Sequence, residues 1–276
     1  MKTYQFIDSG DQKKLERFGE YLLIRPSASA LWKPSLTKEW KEADAAFTRE
    51  KESRWSFRRS LPSSWVVEAS SFLFKIEPTD FGHVGLFPEH LALCSWMEEV
   101  IQSAPAHFQL LNLFAYSGAA TLAAVRAGAQ VCHLDASKAA VRWARENAAL
   151  NGCKGAPVRW IVDDVFKFLK REEKRGSRYD GILLDPPSFG RGSKGEVFKI
   201  ERDLYVLLKM CRSLFSRSFR FLILSSHTPG LTPLALRQLL EEIMEGQKGE
   251  IEAGELFLSG EGSRLLPSGA FARWKR

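Results

Sequence analysis

Two stretches of this chain carry residues whose types and spacing could do chemistry. One is Asp185-Pro186-Pro187-Ser188-Phe189, which directly follows the apolar run Gly181-Ile182-Leu183-Leu184. Consecutive prolines hold the backbone rigid and leave carbonyl oxygens exposed. With the Asp185 carboxylate they form an acceptor cluster for the N–H groups of an amine or a nucleobase. Phe189 offers a ring face to a planar group, a contact worth about 1–3 kcal/mol per base. Asp185, Pro186, Pro187, Ser188 and Phe189 are therefore the candidate catalytic residues, against the plainer reading of a helix-blocking turn with a capping aspartate.

The other is Leu110-Leu111-Asn112-Leu113-Phe114-Ala115-Tyr116-Ser117-Gly118, an apolar strand breaking at a small-residue turn into the helix-forming run Ala119–Val125. Such a turn leaves backbone N–H groups free at the helix start, and glycine permits close approach of a ligand. Asp135 ends the next strand, where a carboxylate can accept both hydroxyl hydrogens of a ribose. A dinucleotide would require three glycines against its pyrophosphate. Only Gly118 is present, so S-adenosylmethionine, with a ribose and an adenine but no phosphate, is the expected cofactor. At the third strand end, Asp163 or Asp164 can accept the adenine amino group while the following backbone N–H, at Val165, serves a ring nitrogen.

These motifs need an open sheet to hold them. Strands are expected at 129–134, 158–162, 179–184 and 219–224, alternating with helices at 119–127, 137–150, 165–175 and 234–244, and a closing strand pair at 251–258 and 270–274. This alternation specifies an α/β fold, a Rossmann-like doubly wound parallel sheet with an antiparallel terminal strand. Residues 1–80 read as a small, mostly β, N-terminal module, with a charged helical stretch at 36–54, and residues 81–276 as the cofactor domain. Gly190, Gly192 and Gly195 predict a mobile loop beside the substrate.

The chain has 276 residues, 45% hydrophobic and 26% charged, enough to bury a sizeable core. No apolar run approaches the ~20 residues of a membrane span. The first residues lack a signal-peptide core, so a cytoplasmic protein is expected. Four scattered cysteines without Cys-x-x-Cys spacing argue against zinc and against disulfides, and no metal is expected. The net charge of +7 is uneven. Between Gly190 and Arg220 stand Arg191, Lys194, Lys199, Arg202, Lys209, Arg212, Arg217 and Arg220 against only Glu196, Glu201 and Asp203. That surplus would favour a phosphate-rich partner such as RNA, although a solvated helix face gives the same composition. Arg54-Trp55-Ser56-Phe57-Arg58-Arg59 interleaves cations with aromatics, a pattern that stacks bases or simply anchors a surface tryptophan.

The 111–118 turn, Asp135-Ala136-Ser137-Lys138, Arg145-Glu146-Asn147-Ala148-Ala149-Leu150-Asn151-Gly152 and Asp185–Phe189 together resemble the class I S-adenosylmethionine-dependent methyltransferases. Within these, residues 80–276 resemble the branch related to the large-subunit ribosomal-RNA cytosine-C5 methyltransferases. The N-terminal part is similar to that of a shorter bacterial subgroup without the RNA-binding PUA domain. The resemblance implies that Phe114, Ala115, Tyr116 and Gly118 border the methionine part of the cofactor, Asp135, Ala136 and Ser137 the ribose, and Asp163, Asp164 and Val165 the adenine. Phe87 to His90, with Phe87 and Glu89 as the candidate cofactor residues, occupies the place of a segment that closes over the cofactor in relatives, though its sequence departs from theirs. It also implies that the 185–189 corner holds the substrate.

One departure bears on the chemistry. Cytosine-C5 methylation needs a cysteine thiolate to attack the ring, and in the cytosine enzymes that this chain resembles it lies at the end of strand five. Here that place holds Ser225-Ser226-His227, so an exocyclic amine or another heteroatom suits the residues better. The expected function is methylation of an RNA base. The alternatives are methylation of a small molecule or protein side chain, and a non-catalytic nucleoside-cofactor-binding module.

Overall fold

A computed structural model describes residues 3–49, 54–104, 107–192 and 195–276. The chain divides into two compact units, Met1–Glu89 with Phe257–Ser268, and His90–Leu256 with Gly269–Arg276. The sequence boundary was drawn at 80/81.

The first unit is a five-stranded sheet in the order of the chain: β1 (Tyr4–Gly10), β2 (Lys13–Phe18), β3 (Tyr21–Pro26), β4 (Ala45–Thr48) and β5 (Arg54–Phe57). A second hairpin joins β6 (Trp65–Ala69) to β7 (Phe72–Ile76). Asp11-Gln12 and Ser70-Ser71 turn two of these hairpins with positive φ at both residues, the hand that matches strand twist. The helix expected over 36–54 is confined to α1 (Thr37–Lys41). Asp44 stops it by bonding sideways: its carboxylate accepts the Leu22 N–H at 2.8 Å and its backbone N–H donates to Leu22 O, which commits 45–48 to the sheet. Residues 50–53 of that stretch lie outside the described residues. In the Arg54–Arg59 patch, Trp55 Nε1 donates to Thr79 O, Arg58 Nε donates to Ala43 O, and Arg59 lies over the Tyr21 ring. Trp55 is thus anchored, and Arg58 and Arg59 are engaged within their own unit.

The second unit starts with α2 (Leu91–Gln102), entered through the short 3-10 turn Pro88–His90. It continues as β8 (Gln109–Leu113), α3 (Ala119–Arg126), β9 (Gln130–Asp135), α4 (Lys138–Leu150), β10 (Val158–Val162), α5 (Val165–Lys174) and β11 (Gly181–Leu184). There follow β12 (Phe189–Arg191), β13 (Val197–Lys199), α6 (Ile200–Ser213), β14 (Phe221–Ser226), α7 (Pro233–Ile243), β15 (Glu250–Leu258) and β16 (Leu266–Lys275). The sheet order is β10-β9-β8-β11-β14-β16-β15, with β8 to β11 and β14 parallel and β16 antiparallel to β14. This is the expected doubly wound sheet with an antiparallel terminal strand. Every residue of β11 and β14 is buried, as a strand covered on both faces requires.

Helix ends follow their side chains. Ser137 Oγ accepts the Ala140 N–H, Asp164 accepts the Lys167 N–H and Thr232 accepts the Ala235 N–H. On either side of the glycine segment at 190–195, β12 pairs antiparallel with β13, and residues 193–194 between them, Lys194 included, lie outside the described residues. Among the described residues no helix is long and apolar enough to cross a membrane. Cys94, Cys132 and Cys211 are buried and Cys153 is half-buried, all four as free thiols. Burial pushes Cys94 and Cys211 up to about 12 and Cys132 up to about 11.

Two buried titratable groups set the acid stability. His133 in β9 meets Thr121 Oγ1 through Nδ1 at 2.9 Å, and its Nε2 is buried. Burial, and then the Arg145 charge, push its pKa down from 6.5 to about 3. Burial raises the Glu172 carboxyl, but hydrogen bonds from Arg159, Tyr179, Ser177 and Arg175 outweigh it and draw the pKa from 4.5 down to about 2. Both folded-state values are depressed. The stability from His133 is therefore complete above pH 6.5 and lost as pH falls toward 3, and that from Glu172 is lost between 4.5 and about 2. Urea titrations should show the unfolding free energy falling below pH 6.5 with a limiting slope of about 1.4 kcal/mol per pH unit. In His133→Asn the portion above pH 4.5 should flatten.

Candidate active site

The register of the parallel strands builds the site. Leu113 of β8 pairs with Leu134 of β9 and with Leu184 of β11, and Leu184 pairs with Leu224 of β14. The next residue of each strand is Phe114, Asp135, Asp185 or Ser225, so all four emerge at one edge of the sheet. The chain runs outward from β8 through β9 to β10, then crosses back to β11 and β14. The strand order therefore reverses between β8 and β11, where sheets of this kind open a crevice for ligands.

The turn after β8 is tightly specified. Phe114, Tyr116 and Gly118 have φ of +56°, +47° and +88°. Its partners explain why two non-glycine residues hold this backbone. Ala115 N donates to Leu134 O, Tyr116 N to Asp135 Oδ2 at 2.9 Å, and Asn147 Nδ2 of α4 to Ser117 O at 2.9 Å. Gly118 lies against α4, where a Cβ would stand 3.0 Å from Ala144 Cβ. It also caps α3 with no side-chain acceptor for the first-turn amides.

Asp135 is half-buried, with Oδ1 accepting the Ser137 N–H at 2.8 Å. Burial raises its carboxyl above the ordinary value, and the Ser137 and Tyr116 amides lower it against that trend. Ala136 is half-buried between them. Next to it, Asp163 N donates to Asp135 O at 3.2 Å. Asp163 Oδ1 accepts the Asp164 N–H while Oδ2 pairs with Arg171, and Asp164 caps α5, whose first residue Val165 is buried. Asp135, Asp163 and the 114–118 turn are thus brought together. Phe87 and Glu89 belong to the first unit, where Phe87 packs edge-on to His83 and Glu89 is buried.

At the 185–189 corner, Asp185 Oδ1 accepts the Ser225 hydroxyl at 2.8 Å. Its Oδ2 lies 3.8 Å from His90 Nε2 and 3.9 Å from His227 Nε2, and those two nitrogens are 3.1 Å apart. Ser188 Oγ bonds to Thr228 Oγ1 at 2.7 Å, and Ser188 O accepts the Ile200 N–H. Phe189 is half exposed, with the Arg191 guanidinium 5.6 Å from its ring centre.

Three cations of the basic segment that follows have partners within the protein. Arg202 bonds to Asp203 and to Val197 O, Arg212 to the Ile243 and Glu245 carbonyls, and Lys209 stands over Tyr205.

The family model described as S-adenosylmethionine-dependent methyltransferase matches residues 43–234. The chain belongs to this family.

A solved S-adenosylmethionine-dependent methyltransferase from Agrobacterium tumefaciens is 40% identical, covering 99% of this chain and 90% of that one, with a TM-score of 0.94. A Streptococcus mutans structure, also described as a methyltransferase of this type, shares the fold at 19% identity and a TM-score of 0.76, over 99% of this chain and 75% of that one. The ribosomal RNA large subunit methyltransferase K/L of Syntrophotalea carbinolica is 32% identical over 164 residues, 56% of this chain but 22% of that protein. The chain thus spans about a fifth of the length of that relative.

The cofactor of the family is S-adenosylmethionine, and the donors present fit it. A carboxylate fixed by two backbone amides retains lone pairs for a vicinal diol, and the α3 amides without a side-chain cap suit the negative charge of an amino-acid carboxylate.

Sequence reading missed three residues of this site. Asn147 lay within a quoted motif without a role, His90 is the last residue of a 3-10 turn, and Ser225 was noted only for not being cysteine. The signal for Asn147 was a polar residue on the inward face of α4, where it is fully buried.

If Asp135 binds a diol as a carboxylate, calorimetry with S-adenosylhomocysteine should show affinity falling as the carboxyl protonates, at a pH above that of an ordinary aspartate. Asp135→Ala should cost roughly 10–100-fold in affinity, in line with about 1.5–3 kcal/mol for hydrogen bonds to a charged group. Asn147→Ala should weaken binding and also lower thermal stability by about 1–3 kcal/mol, because Ser117 O loses its buried donor.

Proposed function

We propose that this chain transfers the methyl group of S-adenosylmethionine to a nitrogen of a planar base in RNA. The observation that supports the reading is the position of the Asp185-Pro186-Pro187-Ser188-Phe189 corner one strand from the 114–118 turn and two strands from Asp135, at the same edge of one sheet.

In this reading Asp135, Ala136 and Ser137 hold the ribose, Asp163, Asp164 and Val165 the adenine, and Phe114, Ala115, Tyr116 and Gly118 the methionine part. Bound S-adenosylmethionine supplies an electrophilic methyl whose C–S bond breaks as the N–C bond forms, with one amine proton passing to solvent. The protein's share is alignment, since an in-line displacement needs little acid–base help. Asp185 and the carbonyls of the proline corner accept the amine hydrogens and stabilise positive charge developing on nitrogen. Phe189 stacks on the base, and Arg191 beside it meets a phosphate. No cysteine stands at the end of β14, where Ser225 instead hydrogen-bonds Asp185. That supports nitrogen over cytosine carbon-5 as the methyl acceptor.

The RNA assignment draws on the name of the K/L relatives and on the Phe189–Arg191 pair more than on the 190–220 charge surplus, in which Arg202 is paired with Asp203 and Arg212 is tied to backbone carbonyls. A small-molecule or protein acceptor is the rival. A single-turnover assay with labelled methyl donor and total cellular RNA should label RNA in the wild type. Asp185→Ala should lower the rate at least about 100-fold, and Phe189→Ala should weaken RNA binding by about 1–3 kcal/mol. In Arg191→Ala the slope of log affinity against log salt should become shallower by about 1. Absence of label in RNA, with label appearing in protein or small molecules, overturns the assignment.

A further inference from the structure

The corner that holds Asp185 also gathers two histidines from distant parts of the same unit. His90 lies at the N-terminal end of α2, and His227 follows β14. Their Nε2 atoms stand 3.1 Å apart, and Asp185 Oδ2 stands 3.8 and 3.9 Å from them. The carboxylate oxygen lies outside direct hydrogen-bond reach of either ring yet equally far from both. Three donor atoms on a tetrahedral zinc ion would be about 3.3–3.4 Å apart, given bonds of about 2.0–2.2 Å. The triangle seen here, with sides of 3.1, 3.8 and 3.9 Å, needs shifts of only about half an ångström to close on one ion.

We infer that His90, His227 and Asp185 form a binding site for a divalent transition metal, with two imidazoles and one carboxylate as protein ligands. Imidazole with carboxylate is the ligand set of zinc, iron(II) and their neighbours rather than of magnesium or calcium, which take oxygen. Three ligands leave at least one coordination position for water or another group, as in catalytic rather than structural zinc sites.

The surroundings are built for holding these ligands. Ser225 Oγ donates to Asp185 Oδ1 at 2.8 Å, which leaves Oδ2 turned to the histidines. Gly269 in β16 backs onto the His227 ring: a Cβ there would stand 3.1 Å from His227 Nδ1 and 2.9 Å from Ser226 O. At φ of +151° that position also takes a backbone that side chains rarely adopt. The three ligand side chains are 18%, 34% and 23% exposed, so an ion has a route in. The lack of Cys-x-x-Cys spacing, which set aside a thiolate site, does not bear on this one. Asp185 is shared with the proposed methyl-acceptor corner, but the metal assignment stands without the methyl-transfer reading, and its test reads metal alone.

The experiment is calorimetry of chelator-washed full-length protein with zinc chloride, and with magnesium chloride as the control, followed by X-ray absorption on the zinc-loaded protein. The expected result is one zinc per chain, no magnesium heat, and a first shell of nitrogen and oxygen without sulfur. His90→Asn, His227→Asn and Asp185→Asn should each weaken zinc binding more than about 100-fold, and Ser225→Ala, which removes only the orienting hydroxyl, about 10-fold. Circular dichroism checks that each variant is folded; should one fail, the absorption spectrum of the wild type still decides. No zinc heat, a sulfur-containing shell, or zinc binding unchanged in the folded histidine variants overturns the proposal. The histidines would then be joined by an N–H···N hydrogen bond alone.

Discussion

Backbone hydrogen bonding between parallel strands decides where this chain can place reactive groups. Because Leu134, Leu113, Leu184 and Leu224 lie side by side across β9, β8, β11 and β14, the residues that follow them are delivered to one edge in one row. A slip of one residue in β11 would invert every side chain of a strand buried on both faces. The apolar packing of Ile182 and Leu184 against α5, α6 and their neighbours therefore protects the position of a carboxylate that itself contributes little to the core.

The buried polar groups are arranged around that same row. Asn112 Nδ2 donates to Thr121 Oγ1, which meets His133 Nδ1, forming a chain that links β8, α3 and β9 directly beneath the cofactor turn. Asn147 reaches the turn from α4, and Asp135 receives it from β9. Each group replaces apolar contact with a directional one, which fixes orientation in a low-dielectric region where a missing partner is costly. The turn is thus held by side chains from two different elements, α4 and β9, and only one of its five residues is glycine.

Much of this was legible in the sequence, and the failures have physical causes. Strand–helix alternation over 109–244 was readable because buried parallel strands give unbroken apolar runs and the helices carry their own caps, Ser137 and Asp164. The first unit was harder. Its mostly β character was readable, but its individual strands were not: Lys13–Phe18 sets charges on neighbouring residues, Lys13-Lys14 and Glu16-Arg17, which breaks the alternation of a half-buried strand. The 36–54 stretch has helical composition, yet Asp44 diverts it through tertiary hydrogen bonds that no local signal encodes. Glycines marked a turn after Phe189, but the pairing of Phe189–Arg191 with Val197–Lys199 across it is not a local property. The row Phe114, Asp135 and Asp185 could be read because each residue stands at the end of its own strand. The meeting of His90 with His227 could not, for 137 residues separate them and only the folded sheet end closes that gap.

The distribution of thiols has a practical consequence. Three sulfurs sit in the interior with burial suppressing their thiolates, and only Cys153, just beyond the C-terminal end of α4, is half open to solvent. An alkylating fluorophore should therefore find one attachment point on the native molecule without any engineering. It would sit at the far end of the helix whose Asn147 grips the turn, and so provide a reporter of ligand-dependent tightening there.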